Sequence, residues 1–185
     1  MIVRPYKGKS PHIHPDVWVA ETAVLIGDVT IGPRSGVWYN VVLRGDFHKI
    51  VISSETNVQD GTIIHVESKE GPCLIGNRVT VGHRAVVHGC LVEDEVVIGM
   101  GAVILSYAKL GQGCLIAAGA VVKEHEEVPP GAIMAGVPAK VIGEVTEEMQ
   151  ERFRRGCERY VQLAGEYVIS SPGRRPPKKP RRRRR

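Results

Sequence analysis

The chain has 185 residues, 43% of them hydrophobic but only 5% aromatic, enough for one domain whose core must be filled by Val, Ile, Leu and Ala. It contains no apolar run of about 18 residues and no charged-then-apolar leader, which excludes a helical membrane span or a signal peptide in this sequence and makes a cytoplasmic protein the expectation. The formal charge of +5 comes from the C-terminus: "GRRPPKKPRRRRR" holds nine of the 25 Lys and Arg, so the body carries 16 basic against 20 acidic residues, a net −4.

From Val19 to Val122 an aliphatic residue recurs every six positions: Val19, Leu25, Ile31, Val37, Leu43, then Ile52, Val58, Ile64, then Ile75, Val81, Val87, Val92, Ile98, Ile104, Leu110, Ile116 and Val122. The period slips at residues 44 to 51, at 65 to 74 and by one residue before Val92. Four places after these aliphatics sit small or β-branched residues such as Ala23, Val41, Thr62, Ala85, Ala102 and Ala120. A helix requires spacings of three and four, and a meander requires alternation with turns every 8 to 12 residues. Six fits neither. It fits an all-β solenoid of hexads, each a short strand plus a corner, with three hexads closing one triangular coil and coils stacking about 4.8 Å apart. About six coils follow, a prism on the order of 30 Å long by that spacing.

This pattern resembles the hexapeptide-repeat superfamily, which implies a left-handed parallel β-helix. "VPPGAIMAGVPAKVIG", residues 128 to 143, is similar to that superfamily's closing segment, and the solenoid is expected to occupy residues 1–143. After it, Val145, Met149, Phe153, Cys157, Tyr160, Val161, Ala164, Tyr167 and Val168 recur at three and four. Residues 144–170 are thus expected to form an amphipathic C-terminal α-helix on a prism face, with Thr146 as N-cap and Glu147 and Glu148 in the first turn. Gly156 and Gly165 weaken that helix. Residues 171–185, rich in Pro and of one charge sign, read as a disordered basic tail: either a solvated appendage or an arm for nucleic acid or an anionic membrane. Cys73, Cys90, Cys114 and Cys157 form no CxxC, so they read as reduced small hydrophobes.

Counting hexads places the histidines. His88, His65 and Arg44 each follow an inward aliphatic by one, one coil apart on one face, and so form an outward column. His83 follows Val81 by two on the neighbouring face, with Asp60 below it. An edge separates His83 from the other two, and one chain cannot readily wrap all three nitrogens around a metal at about 2.1 Å. Threefold symmetry brings one prism's face against the next, so that His65 and His88 of one subunit can meet His83 of another. Zinc or ferrous iron held by three histidines leaves open positions for water. His12, His14, His48 and His125 lack such an arrangement and read as surface residues.

"RGD" at 44 to 46, "NVQDGTIIH" at 57 to 65 and "VGHRAVVHG" at 82 to 89 together resemble the γ-class carbonic anhydrases, over nearly all of residues 10 to 170. The resemblance implies a homotrimer with Zn2+ or Fe2+ at each subunit interface and metal ligands at His65, His83 and His88. It also implies a Gln59 that positions hydroxide, an adjacent Asp60, a Tyr160 that reaches the site from the helix, and an interface pair Arg44 and Asp46, catalytic or purely structural. The reaction implied is reversible hydration of carbon dioxide to bicarbonate, the metal lowering the pKa of its water toward about 7. Two departures stand out. Phe47 replaces the expected glutamate beside Asp46, and the loop after His65 is reduced to "VESKEGPC", with Glu67 and Glu70 its only carboxylates. Two other readings remain: a trimeric metal-binding or assembly protein without useful turnover, and a coenzyme A-dependent hexapeptide acyltransferase with one essential His.

Overall fold

The computed structural model describes residues 1–68 and 71–170. Its chain winds into a parallel β-solenoid of about seven turns followed by one C-terminal helix. Each turn lays one short strand on each of three faces. The first face stacks Ile2–Arg4, the opening residues of Val24–Ile31 and of Val42–Ile52, then Ile63–His65, Val86–His88, Val103–Ile104 and Val121–Val122. The second stacks His12–Ile13, the closing residues of the same two long strands, Cys73–Ile75, Leu91–Val92, Lys109–Leu110 and Glu127–Val128. The third runs from Trp18–Val19 through Asn57–Val58, Thr80–Val81 and Val97–Ile98 to Ala132–Gly136, which the antiparallel strand Ala139–Glu144 covers.

Hexad counting from Val19 finds six turns; the seventh is the first, built from Ile2–Arg4, His12–Ile13 and Trp18–Val19 before the repeat becomes regular. The slips in the period also have physical causes. Val42–Ile52 runs as one strand around an edge, and its register to Val24–Ile31 shifts at Gly27/Val29. At the slip after His65, residues 66–68 and 71–72 lie outside the strands, between Ile63–His65 on one face and Cys73–Ile75 on the next.

One aliphatic per hexad points inward, so Leu43, Ile64, Ile98, Ile104, Leu110 and Ile116 from the three faces are wholly buried in one continuous core. Each such side chain stabilises the fold by about 1.5–3 kcal/mol relative to exposure. The corner residues Val41, Thr62, Ala85, Ala102 and Ala120 are equally buried, because a corner has little volume. Stacked turns come close enough to exclude side chains at some points: a Cβ on Gly99 would lie 2.5 Å from the Ala118 nitrogen.

The helix spans Glu147–Ser170. Thr146 caps it, its Oγ1 accepting the Met149 N–H at 3.3 Å and its carbonyl the Gln150 N–H at 2.9 Å. Gly156 and Gly165 do not interrupt it; each costs about 1 kcal/mol, which docking offsets. The docking surface is aromatic. Trp18 and Trp38 are buried beneath Ala164 and Val168, with Tyr39, Tyr160 and Tyr167 packed around them. The aromatic residues are therefore concentrated outside the prism, and the interior is aliphatic. No helix among the described residues is long and apolar enough to cross a membrane. The expected basic tail, 171–185, lies outside the described residues.

Candidate metal centre

Parallel register pairs Arg44 with His65 and His65 with His88, each step one turn. Because Leu43, Ile64 and Val87 point inward, the three residues that follow them point outward in one column. His65 Nδ1 lies 3.0 Å from His88 Nε2, and the ring centroids are 5.0 Å apart. On its other side His65 Nε2 lies 3.0 Å from Asp46 Oδ1, while the second Asp46 oxygen accepts from Arg44 Nη1. Burial alone would raise the Asp46 pKa, but hydrogen bonds from His65 and Arg44 outweigh it and hold the carboxyl below its usual range. Burial, then the neighbouring His65, also lower the His88 pKa, which favours the neutral imidazole.

His83 stands apart. The Thr80–Val81 strand pairs with Asn57–Val58, which sets His83 over Asp60, with Nδ1 2.9 Å from Asp60 Oδ2. The structure thus brings together Arg44, Asp46, His65 and His88, and separately His83 with Asp60. Among the described residues of this single chain, no three His, Cys, Asp or Glu side chains converge on one point.

Gln59 is buried at 6% exposure, and its Nε2 donates to Asn57 Oδ1 at 3.0 Å. Asn57 in turn donates to Thr80 Oγ1 at 2.9 Å, so the Gln59 amide is fixed from behind. Tyr160 lies in the helix-docking cluster, edge-on to Trp38 at 5.3 Å. Burial raises its pKa, and the negative charge of Asp60, the partner of His83, raises it further. Phe47 projects into solvent with its ring 5.9 Å from that of His65. His14 accepts a hydrogen bond from the Asp16 N–H, two residues on, and His48 from the adjacent Lys49 N–H, while His125 stacks on Tyr107.

The sequence reading missed Ser106 and Asn57. Ser106 is buried, and its Oγ lies 2.9 Å from His88 Nδ1. Its signal was faint: a polar residue two places after the inward Ile104, in the turn beyond His88. The Glu67 carboxyl sits below the usual range, chiefly because the Ser68 N–H donates to it at 2.7 Å. Glu70 lies outside the described residues.

The donor set suits a metal. Imidazoles accept zinc or ferrous iron, and a histidine ligand ordinarily donates its other ring N–H to a carboxylate or similar acceptor. Asp46 stands in that position for His65, Ser106 for His88 and Asp60 for His83.

Residues 89–124 match the family described as bacterial transferase hexapeptide (six repeats). The chain is 44% identical to gamma carbonic anhydrase 2, mitochondrial, of Arabidopsis thaliana over 84% of its own length, and it spans 58% of the length of that plant protein. It is 39% identical to the carbonic anhydrase of Geobacillus kaustophilus, over 90% of each chain. Among solved structures, a Bacillus cereus protein provisionally named an acetyltransferase superposes with a TM-score of 0.88 at 36% identity, covering 90% of this chain and 96% of its own. The two-histidine column, the hexad solenoid and these likenesses lead to one assignment: the chain belongs to the γ-class carbonic anhydrase family, on the left-handed β-helix of hexapeptide repeats.

Proposed function

We propose that the protein catalyses the reversible hydration of carbon dioxide to bicarbonate as a homotrimer. In this reading one Zn2+ or Fe2+ sits at each subunit interface, held by His65 and His88 of one subunit and by His83 of the partner subunit. The observation that carries it is the approach of His65 Nδ1 to His88 Nε2 at 3.0 Å, with an acceptor behind each ring. An outward ladder of Val42, Ile63, Val86, Val103 and Val121 runs along the same face in register. Ile63 is 46% exposed within it, so a second subunit against this face would bury apolar area next to the histidines. The four free thiols agree with a reducing compartment, and we place the protein in the cytoplasm.

A bound metal supplies Lewis acidity that makes water a nucleophile near neutral pH. The chain's own residues do the rest. Asp46 and Asp60 orient His65 and His83, and Arg44 holds Asp46. Gln59, fixed by Asn57, orients water or substrate by hydrogen bonding, and Tyr160 supports the same side from the helix. Hydration of carbon dioxide yields bicarbonate and one proton, which must leave to buffer. Phe47 cannot accept it. General acid and base groups typically contribute about 10²- to 10⁴-fold, so turnover is expected to depend on added buffer.

The test is stopped-flow carbon dioxide hydration on anaerobically purified protein, with zinc and iron quantified on the same sample and buffer varied. Metal near one per chain with buffer-dependent turnover supports the reading. Metal without turnover would replace it with a trimeric metal-binding protein, and an essential single histidine without metal would point to acyl transfer.

A further inference from the structure

We infer that the end of the prism carrying the first turn is a surface for the phosphate backbone of nucleic acid, formed by Arg4, Lys7 and the basic segment 171–185. The inference is independent of the metal centre. The homotrimer proposed above sets only how many copies of the surface act together.

The body is acidic as a whole, but the fold sorts its charge along the prism. The strand Ile2–Arg4 pairs with Val24–Ile31 and ends the first face. Around it the first turn, residues 1–19, sets Arg4, Lys7 and Lys9 against Asp16 alone. At the opposite end, the last turn, its covering strand and the start of the helix hold seven glutamates between Glu124 and Glu151, against Lys123 and Lys140. Acid is therefore densest at the last turn, and the first turn carries the opposite sign.

The helix returns the chain from the acidic end to the basic one. Before it starts, the Val145 N–H donates to the Gly131 carbonyl at 2.7 Å. Arg154 then pairs with Glu95 at 3.6 Å, the Cys157 thiol donates to the Glu55 carbonyl at 3.1 Å, and Ala164 and Val168 pack on Trp18 and Trp38. Each contact lies nearer the first turn than the one before. Residues 171–185 thus begin three positions after a residue packed on the first turn, and they hold nine Lys and Arg, seven of them Arg, with no acid. The glutamates of the last turn lie a 24-residue helix away, about 36 Å, which is several Debye lengths at physiological salt, so they do not mask this charge.

The first turn presents its own charge on a tight hairpin. Tyr6 and Lys9 exchange both backbone hydrogen bonds, at 2.9 and 3.0 Å, and Lys7 and Gly8 between them have φ of 45° and 78°. Two positive φ values in a two-residue loop make a type I′ turn, which holds Lys7 at the tip. Lys9 is committed to Asp28 at 2.5 Å, which leaves the exposed Arg4 and Lys7 as the first-turn contribution. A planar guanidinium binds phosphate through two N–H groups at once, and each phosphate neutralised releases counterions whatever the base sequence. Segment 171–185 has no apolar residue to enter a bilayer, and charge without an apolar anchor attaches only weakly to lipid, which favours nucleic acid over a membrane. Cyclic symmetry would set three such surfaces at one end of a trimer, where they act together on one polyanion.

The experiment measures fluorescence anisotropy of a short labelled DNA duplex with the full chain, a chain ending at Ser170, the double variant Arg4→Ala/Lys7→Ala, and Lys140→Ala as a control at the acidic end. The full chain should bind duplexes of unrelated sequence alike, with affinity falling about 10³-fold or more between roughly 50 and 200 mM salt. Ending the chain at Ser170 should weaken binding at the lower salt by about 100-fold or more, and the double variant should weaken it severalfold and reduce the salt slope by about two. Lys140→Ala should bind as the wild type does. Oligomer mass, metal content and carbon dioxide hydration should be unchanged in the shortened chain, which excludes unfolding. A full chain that leaves the duplex free at the lower salt, or one whose binding survives loss of 171–185 or of Arg4 and Lys7, would overturn the surface. Sedimentation with phosphatidylserine-containing vesicles while the duplex stays free would replace nucleic acid by an anionic membrane.

Discussion

His65 and His88 occupy the same position in consecutive turns, and their facing nitrogens, Nδ1 and Nε2, stand 3.0 Å apart on the outside of the prism. Neither ring supports the core, since Ile64 and Val87 beside them fill it. His65→Ala and His88→Ala should therefore each abolish metal binding while changing metal-free stability by about 1 kcal/mol or less, as chemical denaturation with chelator present would measure. Unfolding of either variant would show that the rings serve the fold.

Much of this site can be read from the sequence. The six-residue period assigns His65, His88 and Arg44 to one column and His83 with Asp60 to another, because in a solenoid the sequence distance fixes the face. Ser106 escaped that count, since a hydrogen bond between turns depends on how the slip before Val92 closes. Tyr160 was reached only through the family resemblance, because the periodicity of a helix gives its apolar stripe but not where along a face it docks, and Trp18 and Trp38 decide that. The irregular first turn, Ile2–Val19, carries too little of the repeat to be counted.

Gln59 is held by Asn57, which is held by Thr80. Replacing Gln59 by Ala should lower hydration turnover about 100-fold with metal content unchanged, if its amide acts on the reacting groups as a preorganised dipole does. Asn57→Ala should lower turnover less, by freeing rather than removing that amide. Loss of metal in either variant would mean that the pair shapes the ligand shell instead.

The interior column predicts a steep cost for truncation. Ile98 is wholly buried between neighbours one turn above and below, and Ile98→Ala should destabilise the protein by about 2–5 kcal/mol in urea unfolding. A cost well under 1 kcal/mol would contradict a tightly stacked core.

All four cysteines are buried free thiols. Burial pushes the Cys114 thiol up to about 12 and the Cys157 thiol up to about 11, from an ordinary 9.0. Native protein at pH 8 should thus resist Ellman's reagent, and four thiols should react after denaturation. A raised native pKa contributes stability below the unfolded value, and that contribution is lost as pH rises through the native one. Alkaline destabilisation should therefore begin above about pH 9 and deepen toward 12. Rapid labelling of Cys157 at pH 8 would show that the helix lifts readily from the prism.

The central claim is that each metal site is shared between subunits, and complementation tests it most directly. His83→Ala and His88→Ala proteins should each be metal-free alone. Unfolded together in equal amounts and refolded, they should form mixed trimers in which about a quarter of the interfaces join intact His65 and His88 to the partner subunit's intact His83, so that metal and hydration activity return to about that fraction. Full metal content in the His83→Ala protein, or none in the mixture despite mixed trimers, would contradict the account.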